Sequence, residues 1–396
     1  MGSTLSPSVT VGSFEMWSTL FALVTLALAV VTFAPVTNLR HWLVRGNDFP
    51  RLQYTGLIVG MLALLAGWQA GGFGGGAPSP WWGVPLLVSL AYQLLWIWPY
   101  CRAHRHEVRA ATSAEIAQRP ALSVLTSNVL MDNRDSGPLI ERVLALRPDL
   151  LVTLETDAWW QERLDAALGD WPHRVACPLD NRYGIHLYSQ VPLDEAHIDY
   201  LVDEQIPSIS ARFTLDGKPI RFHAIHPTPP APGENPESTD RDAELLTLAD
   251  ALNDSDERIV VTGDLNDVAW SRTTRLFRHR SRLLDPRVGR GMFNTFHADW
   301  WVLRWPLDHV FLSGHFVVVS MHRLGNIGSD HFPVFVELRL LPSEEQDTHL
   351  DAADIDADLE ADTRSTAAAR NATRPSVQTE HGRRTDASDA SGKAPR

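Results

Sequence analysis

Three stretches without a charged side chain sit near the start of the chain, and no other feature limits its fold more. Met16 to Val36, Thr55 to Gln69 and Trp81 to Tyr100 contain no Asp, Glu, Lys or Arg and are rich in apolar residues. A helix that crosses a bilayer needs about 20 apolar residues. The first and third stretches reach that length; the second leans on its flanks. Trp17, Trp68, Trp81, Trp82, Trp96 and Trp98 lie near the ends, where aromatic side chains collect at a membrane interface. A cleaved signal peptide would need a basic segment before the first stretch and would not be followed by two more. Buried core helices would show a polar face. Residues 1–119 therefore read as a three-helix transmembrane region with spans near 16–36, 55–69 and 81–100 and a linker, making the lipid bilayer a partner and the chain a multi-pass protein of the cell membrane.

Arginine is placed unevenly around these spans. Arg40, Arg45 and Arg51 fall in the first loop, and Arg102, Arg105 and Arg109 follow the third span. The N-terminus and the glycine-rich loop from Gly71 to Pro80 hold no Lys or Arg. The positive-inside rule puts everything after Tyr100 in the cytoplasm.

Net charge divides the chain the same way. Residues 1–119 carry +3, residues 120–341 carry −11 and residues 342–396 carry −5. An acidic middle part weighs against tight non-specific nucleic-acid binding, which draws on clustered bases. Two cysteines, Cys101 and Cys177, exclude a disulfide scaffold and a cysteine-rich zinc fold. Residues 342–396 begin with nine acids and no base between 344 and 362, then turn to Ala, Thr, Ser and Arg with few large apolar side chains. Such a segment reads as a disordered tail, and Asn371-Ala372-Thr373 within it as a chance glycosylation match.

Residues 120–341 alternate strand-like and helical runs, an α/β pattern of about ten strands. Strands are expected at Leu122–Thr126, Leu150–Leu154, Gly184–Ser189, Ser208–Leu215, Ile220–Ile225, Ile259–Thr262, His309–Leu312, Phe316–Met321 and Val334–Leu340, with helices at Pro138–Leu146 and Arg241–Leu252. Asn128, Glu155, His226, Asp264, Asn266, Asp308, Asp330 and His331 each lie beside an apolar run. One acid after a strand is ordinarily a turn or cap residue. Eight acidic, amide and imidazole side chains at strand ends point instead to a site along one sheet edge. Carboxylate and amide oxygens are hard ligands suited to Mg²⁺ or Mn²⁺.

The strings around these residues are Thr126-Ser127-Asn128, Leu154-Glu155, Ile225-His226, Gly263-Asp264-Leu265-Asn266, Asp308-His309-Val310-Phe311 and Ser329-Asp330-His331-Phe332-Pro333. Taken in order, they resemble the motifs of the endonuclease/exonuclease/phosphatase superfamily of Mg²⁺-dependent phosphoesterases. That resemblance implies a DNase I-like four-layer α/β sandwich, two packed β-sheets flanked by helices. It also implies Glu155 as a metal ligand, with Asn128 and Asp330 beside the metal. Asp264 would position or deprotonate water, Asn266 and His226 would contact the phosphate, and His331 would pair with Asp308. Three spans before such a domain are similar to a bacterial membrane-bound branch with relatives linked to glycopeptide resistance. Those relatives are thought to face outward, opposite to the side that arginine counting selects.

Several neighbouring residues read as structural. Asp157, Asp267 and His309 are expected to serve loop polarity or strand packing, and His223 to lie on the strand face opposite His226. Trp300, Trp301 and Trp305 are assigned to the core ahead of a substrate wall. Arg272, Arg275, Arg278, Arg280, Arg282, Arg287 and Arg290 form either a solvated helix face, a phosphate clamp or a contact to anionic lipid headgroups.

The reading that fits these features best is a membrane-anchored, divalent-metal-dependent phosphoesterase. Its substrate would be a phosphodiester, a phosphomonoester or a lipid-linked phosphate or pyrophosphate. A metal-dependent endo- or exonuclease acting on DNA or RNA is the alternative, and an inactive membrane scaffold a third.

Overall fold

In the computed structural model, residues 11–37, 39–71, 77–231, 236–253 and 257–342 are described. The expected tail, with Asn371, lies outside the described residues from 343 onward. Helices α1 (Val11–Phe33), α2 (Trp42–Arg45), α3 (Arg51–Gln69) and α4 (Gly83–Ile97) come first. Three stretches, Glu15–Val36, Arg51–Gln69 and Pro80–Tyr100, are long and apolar enough to cross a membrane. They meet through Phe21, Leu28, Ile58, Leu65 and Leu86. Their other apolar side chains, among them Leu23, Leu26, Val30, Leu57, Leu87 and Leu95, are exposed, which fits lipid better than water. The second stretch starts at Arg51 rather than Thr55. Arg51 is buried, paired with Asp48 at 2.5 Å and donating to Gln93 Oε1 at 2.9 Å, so its charge is satisfied at the helix start.

The remaining elements in chain order are α5 (Ser113–Gln118), β1 (Ala121–Asn128), α6 (Gly137–Leu146), β2 (Leu150–Leu154), α7 (Ala158–Ala167), β3 (His173–Cys177), β4 (Ile185–Ser189), β5 (Leu193–Asp199), β6 (Ser208–Leu215), β7 (Lys218–Ile225), α8 (Thr239–Leu252), β8 (Arg258–Asp264), α9 (Arg272–Ser281), β9 (Asp308–Leu312), β10 (Phe316–Arg323) and β11 (Val334–Leu340). The strands form two sheets, ordered β10-β11-β1-β2-β4-β3 and β5-β6-β7-β8-β9. β1 runs parallel to β2 and β7 parallel to β8, while the other pairs are antiparallel.

Strand alternation explains the layers. Val124, Val152, Val260 and Val310 turn into the core between the sheets. Their neighbours Leu125 and Leu151 turn outward against Val143 of α6 and Trp160 of α7. Val261 and Phe311 turn outward against Leu245 of α8 and Phe277 of α9. Side chains of period two with both faces covered give the near-continuous apolar runs seen in the sequence. The result is the four-layer, DNase I-like sandwich. Thr126 and Thr262 hydroxyls meet at 2.6 Å between the sheets, and Thr262 donates onward to the His309 carbonyl at 2.8 Å.

Four members of the arginine run are engaged internally rather than forming a solvated face or an open clamp. Arg275 lies 3.9 Å over the Trp96 ring, Arg278 pairs with Glu107, Arg280 pairs with Asp250 at 2.7 Å, and Arg287 is fully buried on Asp285 at 2.8 Å. Trp96 lies in the third apolar stretch and Glu107 shortly after it, so Arg275 and Arg278 tie the sandwich to the apolar helices, while Arg280 and Arg287 pair within it. Further ties run the same way. Tyr100 donates to the Ala269 carbonyl at 2.7 Å, Trp270 Nε1 to the Asp48 carbonyl at 2.7 Å, and the Ser238 N–H to the Arg40 carbonyl at 3.1 Å. The first loop therefore lies against the sandwich. Trp300 and Trp301 are not core residues: they are 63% and 80% exposed, and only Trp305 packs, its ring 5.8 Å from Phe49.

Candidate active site

Sheet topology gathers the polar strand ends at one edge. Asn128 ends β1 and Glu155 follows β2; these strands are parallel, so both ends fall together. His226 follows β7 and Asp264 ends the parallel neighbour β8. Asp308 opens β9 and pairs in register with Asp264. Asp330 and His331 precede β11, which runs antiparallel to β1 and so starts where β1 stops.

The side chains form a connected set. Asn128 Nδ2 donates to Glu155 Oε1 at 2.9 Å and to Asp264 Oδ2 at 3.1 Å, bridging the two sheets. His331 Nδ1 meets Asp308 Oδ2 at 2.8 Å, and its Nε2 lies 3.5 Å from Asp264 Oδ2. His226 Nε2 lies 3.8 Å from the same oxygen. The Asn266 N–H donates to Asp264 Oδ1 at 2.9 Å, while Asn266 Nδ2 donates to the Pro227 carbonyl at 2.9 Å. Asp264, Asp308, His331, His226 and Asn128 are buried; Glu155 and Asp330 are half-buried and open toward solvent. Of the expected residues, Asp330 stands most apart: its Oδ1 accepts from Ser329 Oγ at 3.4 Å.

Three backbone positions here are unusual. Glu155 and Asn266 adopt left-handed φ values of 59° and 50°, and Gly263 has φ 150°. A Cβ on Gly263 would sit 1.9 Å from the Ile225 carbonyl oxygen, so only glycine allows β7 and β8 to approach this closely. Strained positions of this kind recur at functional sites.

Burial and charge set the protonation preferences. Burial pushes the Glu155 carboxyl up; the Asn128 amide opposes this, and Asp330 and Asp264 add to it. Burial also raises Asp264, with Asp308 adding to the rise and His331 and His226 opposing it. Burial lowers His226. His331 resists burial because Asp308 and Asp264 face its two nitrogens, and it is raised to about 10. Among the described residues, Asp308 Oδ1 and His226 Nδ1 are buried without a hydrogen-bond partner.

Asp264, Asp308 and His331 each present a ligand atom, all within 4.8 Å of one another. With Glu155 and Asn128 beside them, the donor set is mainly carboxylate and amide oxygen. The half-buried Glu155 carboxylate, raised by the neighbouring Asp330 and Asp264 charges, fits a hard divalent cation that would offset them.

Supporting residues came from loops whose contacts have no signature in a single sequence. Thr295 Oγ1 accepts from the Leu307 and Asp308 N–H groups, both at 3.2 Å. Ser329 Oγ donates to the Asn128 carbonyl at 2.8 Å and accepts from the His331 N–H at 3.0 Å. The Tyr183 and Phe296 rings lie 5.6 Å and 4.9 Å from those of His226 and His331. Asp157 caps α7, accepting from the Trp160 N–H at 3.0 Å. Asp267 is a buried ionic partner of Arg241 at 3.3 Å rather than loop polarity. His309 Nδ1 meets Arg287 at 2.6 Å, and His223 Nδ1 meets Ser210 at 2.9 Å.

The endonuclease/exonuclease/phosphatase family profile matches residues 125–331, and the chain belongs to that family. Its members are phosphoester hydrolases, usually metal-dependent. Among solved structures, the chain is similar to an endonuclease/exonuclease/phosphatase from Beutenbergia cavernae, at 19% identity over 57% of this chain and 73% of that one, with a TM-score of 0.48. It is also similar to a family protein from Bacteroides thetaiotaomicron, at 19% identity over 59% and 99% of the two chains, TM-score 0.47. A third is the human nocturnin catalytic domain with bound sulfate, at 17% identity over 56% and 95%, TM-score 0.47. No curated protein matches the sequence.

Proposed function

We propose that the chain is a membrane-anchored, divalent-metal-dependent phosphoesterase with Mg²⁺ or Mn²⁺ as its ion. In this reading residues 1–119 are the anchor, 120–341 the catalytic domain and 342–396 a tail. The observation that carries it is the bridge from Glu155 through Asn128 to Asp264, set against the Asp308–His331 pair. Glu155, Asn128 and Asp330 would hold the ion, on the half-open side of the site. When bound, the ion would polarise the phosphoryl group and offset charge that develops on it.

The chain's own residues account for the rest. Asp264, fixed through Oδ1 by the Asn266 N–H, holds the attacking water and draws its proton. Asn266 spends one amide hydrogen on Pro227 and has a second for a phosphate oxygen. His226, kept neutral by burial, donates a hydrogen bond to the same group. His331, kept protonated by Asp308, sets a fixed positive charge against the developing oxyanion. Donors held in place before the reaction cost no reorganisation as charge develops.

The anchor and the arginines that tie it to the sandwich favour a phosphoester carried on a membrane lipid over DNA or RNA, because Arg275, Arg278 and Arg287 of the run that could have clamped nucleic acid are engaged internally. The test compares phosphate release from a polyprenyl pyrophosphate with nicking of plasmid DNA by the full chain in detergent. Phosphate release without nicking is expected; nicking alone would replace this substrate reading with the nuclease. Arginine counting places the domain in the cytoplasm, and a phosphatase reporter fused after Leu341 reports the side directly.

A further inference from the structure

A second charged cleft lies outside the catalytic cluster. It encloses about 930 Å³ and is lined by Arg102, Arg290, Arg304 and Arg323, with His106 and His322, and no Asp or Glu lines it. Among the described residues, none of the four arginines pairs with a carboxylate. Three of them donate to backbone carbonyls instead: Arg290 Nη1 to Pro286 at 3.0 Å, Arg304 Nη2 to Ala298 at 2.7 Å and Arg323 Nη1 to Asn294 at 2.8 Å. Arg290 Nη2 is buried with no partner. Arg304 and Arg323 share the Phe332 ring, at 5.0 Å and 4.2 Å. Burial lowers Arg323 and the charge of Arg304 adds to this; burial lowers Arg290 as well. Like charges gathered this way carry a cost that a bound anion would remove, and guanidinium forks match phosphate oxygens.

The cleft is also placed at the edge of the apolar helices. Arg102 follows the third apolar stretch, which ends at Tyr100. Trp301 of the exposed Trp300-Trp301-Val302-Leu303 loop lines the cleft, and the Val302 carbonyl accepts from Gln53 Nε2 at 2.6 Å, near the start of α3. Exposed tryptophans and arginines at the end of a span are features of the headgroup zone.

We propose that this cleft is a binding site for a phosphate-bearing anion, separate from the catalytic cluster and level with the membrane surface. Its lipid form rests on the membrane reading above; the phosphate chemistry does not. The site would hold the headgroup phosphate of an anionic lipid, or a free phosphate or pyrophosphate, between the arginines.

The test uses the full chain in neutral detergent with EDTA present, which removes metal-bridged binding at the catalytic cluster. Two probes are applied: inorganic pyrophosphate by calorimetry, and phosphatidylglycerol against phosphatidylcholine by native mass spectrometry. The wild type is expected to bind at least one anionic probe. Arg102→Glu and Arg323→Gln should each weaken that binding by about tenfold or more, as expected for loss of a charge-assisted contact. Arg102 is exposed and makes no hydrogen bond or ion pair among the described residues, so its variant should keep wild-type hydrolysis of bis-p-nitrophenyl phosphate with metal. Phosphatidylglycerol alone would identify a lipid headgroup, and pyrophosphate alone a soluble ligand. Retention of neither probe, or equal binding by wild type and both variants, would overturn the proposal. Anion binding in a protein that hydrolyses nothing would leave this site standing and remove the proposed function instead.

Discussion

Asn128 spaces two carboxylates that come from different sheets. Its amide donates to Glu155 and Asp264, two carboxylates whose charges repel each other. Asn128→Leu should therefore weaken activation by Mg²⁺ or Mn²⁺ by about 10–100-fold, the usual cost of losing a group that orients metal ligands. Activity measured against metal concentration reads this directly. Asp308→Asn should act on the other half of the site: His331 would lose the carboxylate that keeps it charged and oriented, and turnover should fall by about a thousandfold. Much of this constellation was legible as residue types at strand ends, because a strand end fixes where a side chain emerges. Thr295, Tyr183 and Phe296 were not, since their roles depend on loops meeting across the molecule. The arginines after Asn266 were misleading for the same reason: Glu107 is the partner of Arg278, 171 residues earlier in the chain.

At the scale of elements, the close parallel approach of β7 and β8 carries the catalytic acid. Gly263→Ala would press a methyl group into the Ile225 carbonyl at 1.9 Å, and a loss of about 3 kcal/mol or more is expected. A drop in thermal midpoint together with lost activity would show it; wild-type stability would contradict the packing described. In α8, Glu244 is buried, its Oε1 has no partner, and burial together with Asp203 pushes its carboxyl up to about 8. Its folded value lies above the ordinary 4.5. The folded state therefore keeps a proton that the unfolded chain releases, and stability should fall as pH rises from about 4.5 to about 8. Glu244→Gln should flatten that slope, raising the midpoint by several degrees at pH 8 and little at pH 4. Strands were readable where both faces are covered, as in β2, β4 and β11. The unread ones, β3 and β5, are the last strands of their sheets. Edge strands bury less surface, and the half-exposed sequences HRVAC and LDEAHID carry no apolar alternation to find.

The whole molecule joins a sandwich to three apolar helices through buried polar contacts. Arg278 pairs half-buried with Glu107, which also accepts from the Asp285 N–H at 2.8 Å. Glu107→Gln would take the nearest counter-charge from this guanidinium and leave only the more distant Asp285, a change expected to cost about 1.5–3 kcal/mol. Faster proteolysis between the third apolar stretch and β1 should follow, with the sandwich itself still folded. The helices were legible from absent charge alone, whereas the way the first loop lies on the sandwich was not, because it rests on backbone bonds such as the Trp42 N–H to the Pro236 carbonyl at 3.0 Å. The account as a whole depends on metal-dependent phosphoester hydrolysis at the Asp264 cluster. The most direct measurement is hydrolysis of bis-p-nitrophenyl phosphate by the purified full chain and by Asp264→Ala, with Mg²⁺ or Mn²⁺ and again in excess EDTA. The wild type should turn over with metal and stop in EDTA, and Asp264→Ala should be inactive while melting at a comparable temperature. Wild-type rates from Asp264→Ala, or from the EDTA-treated protein, would contradict it.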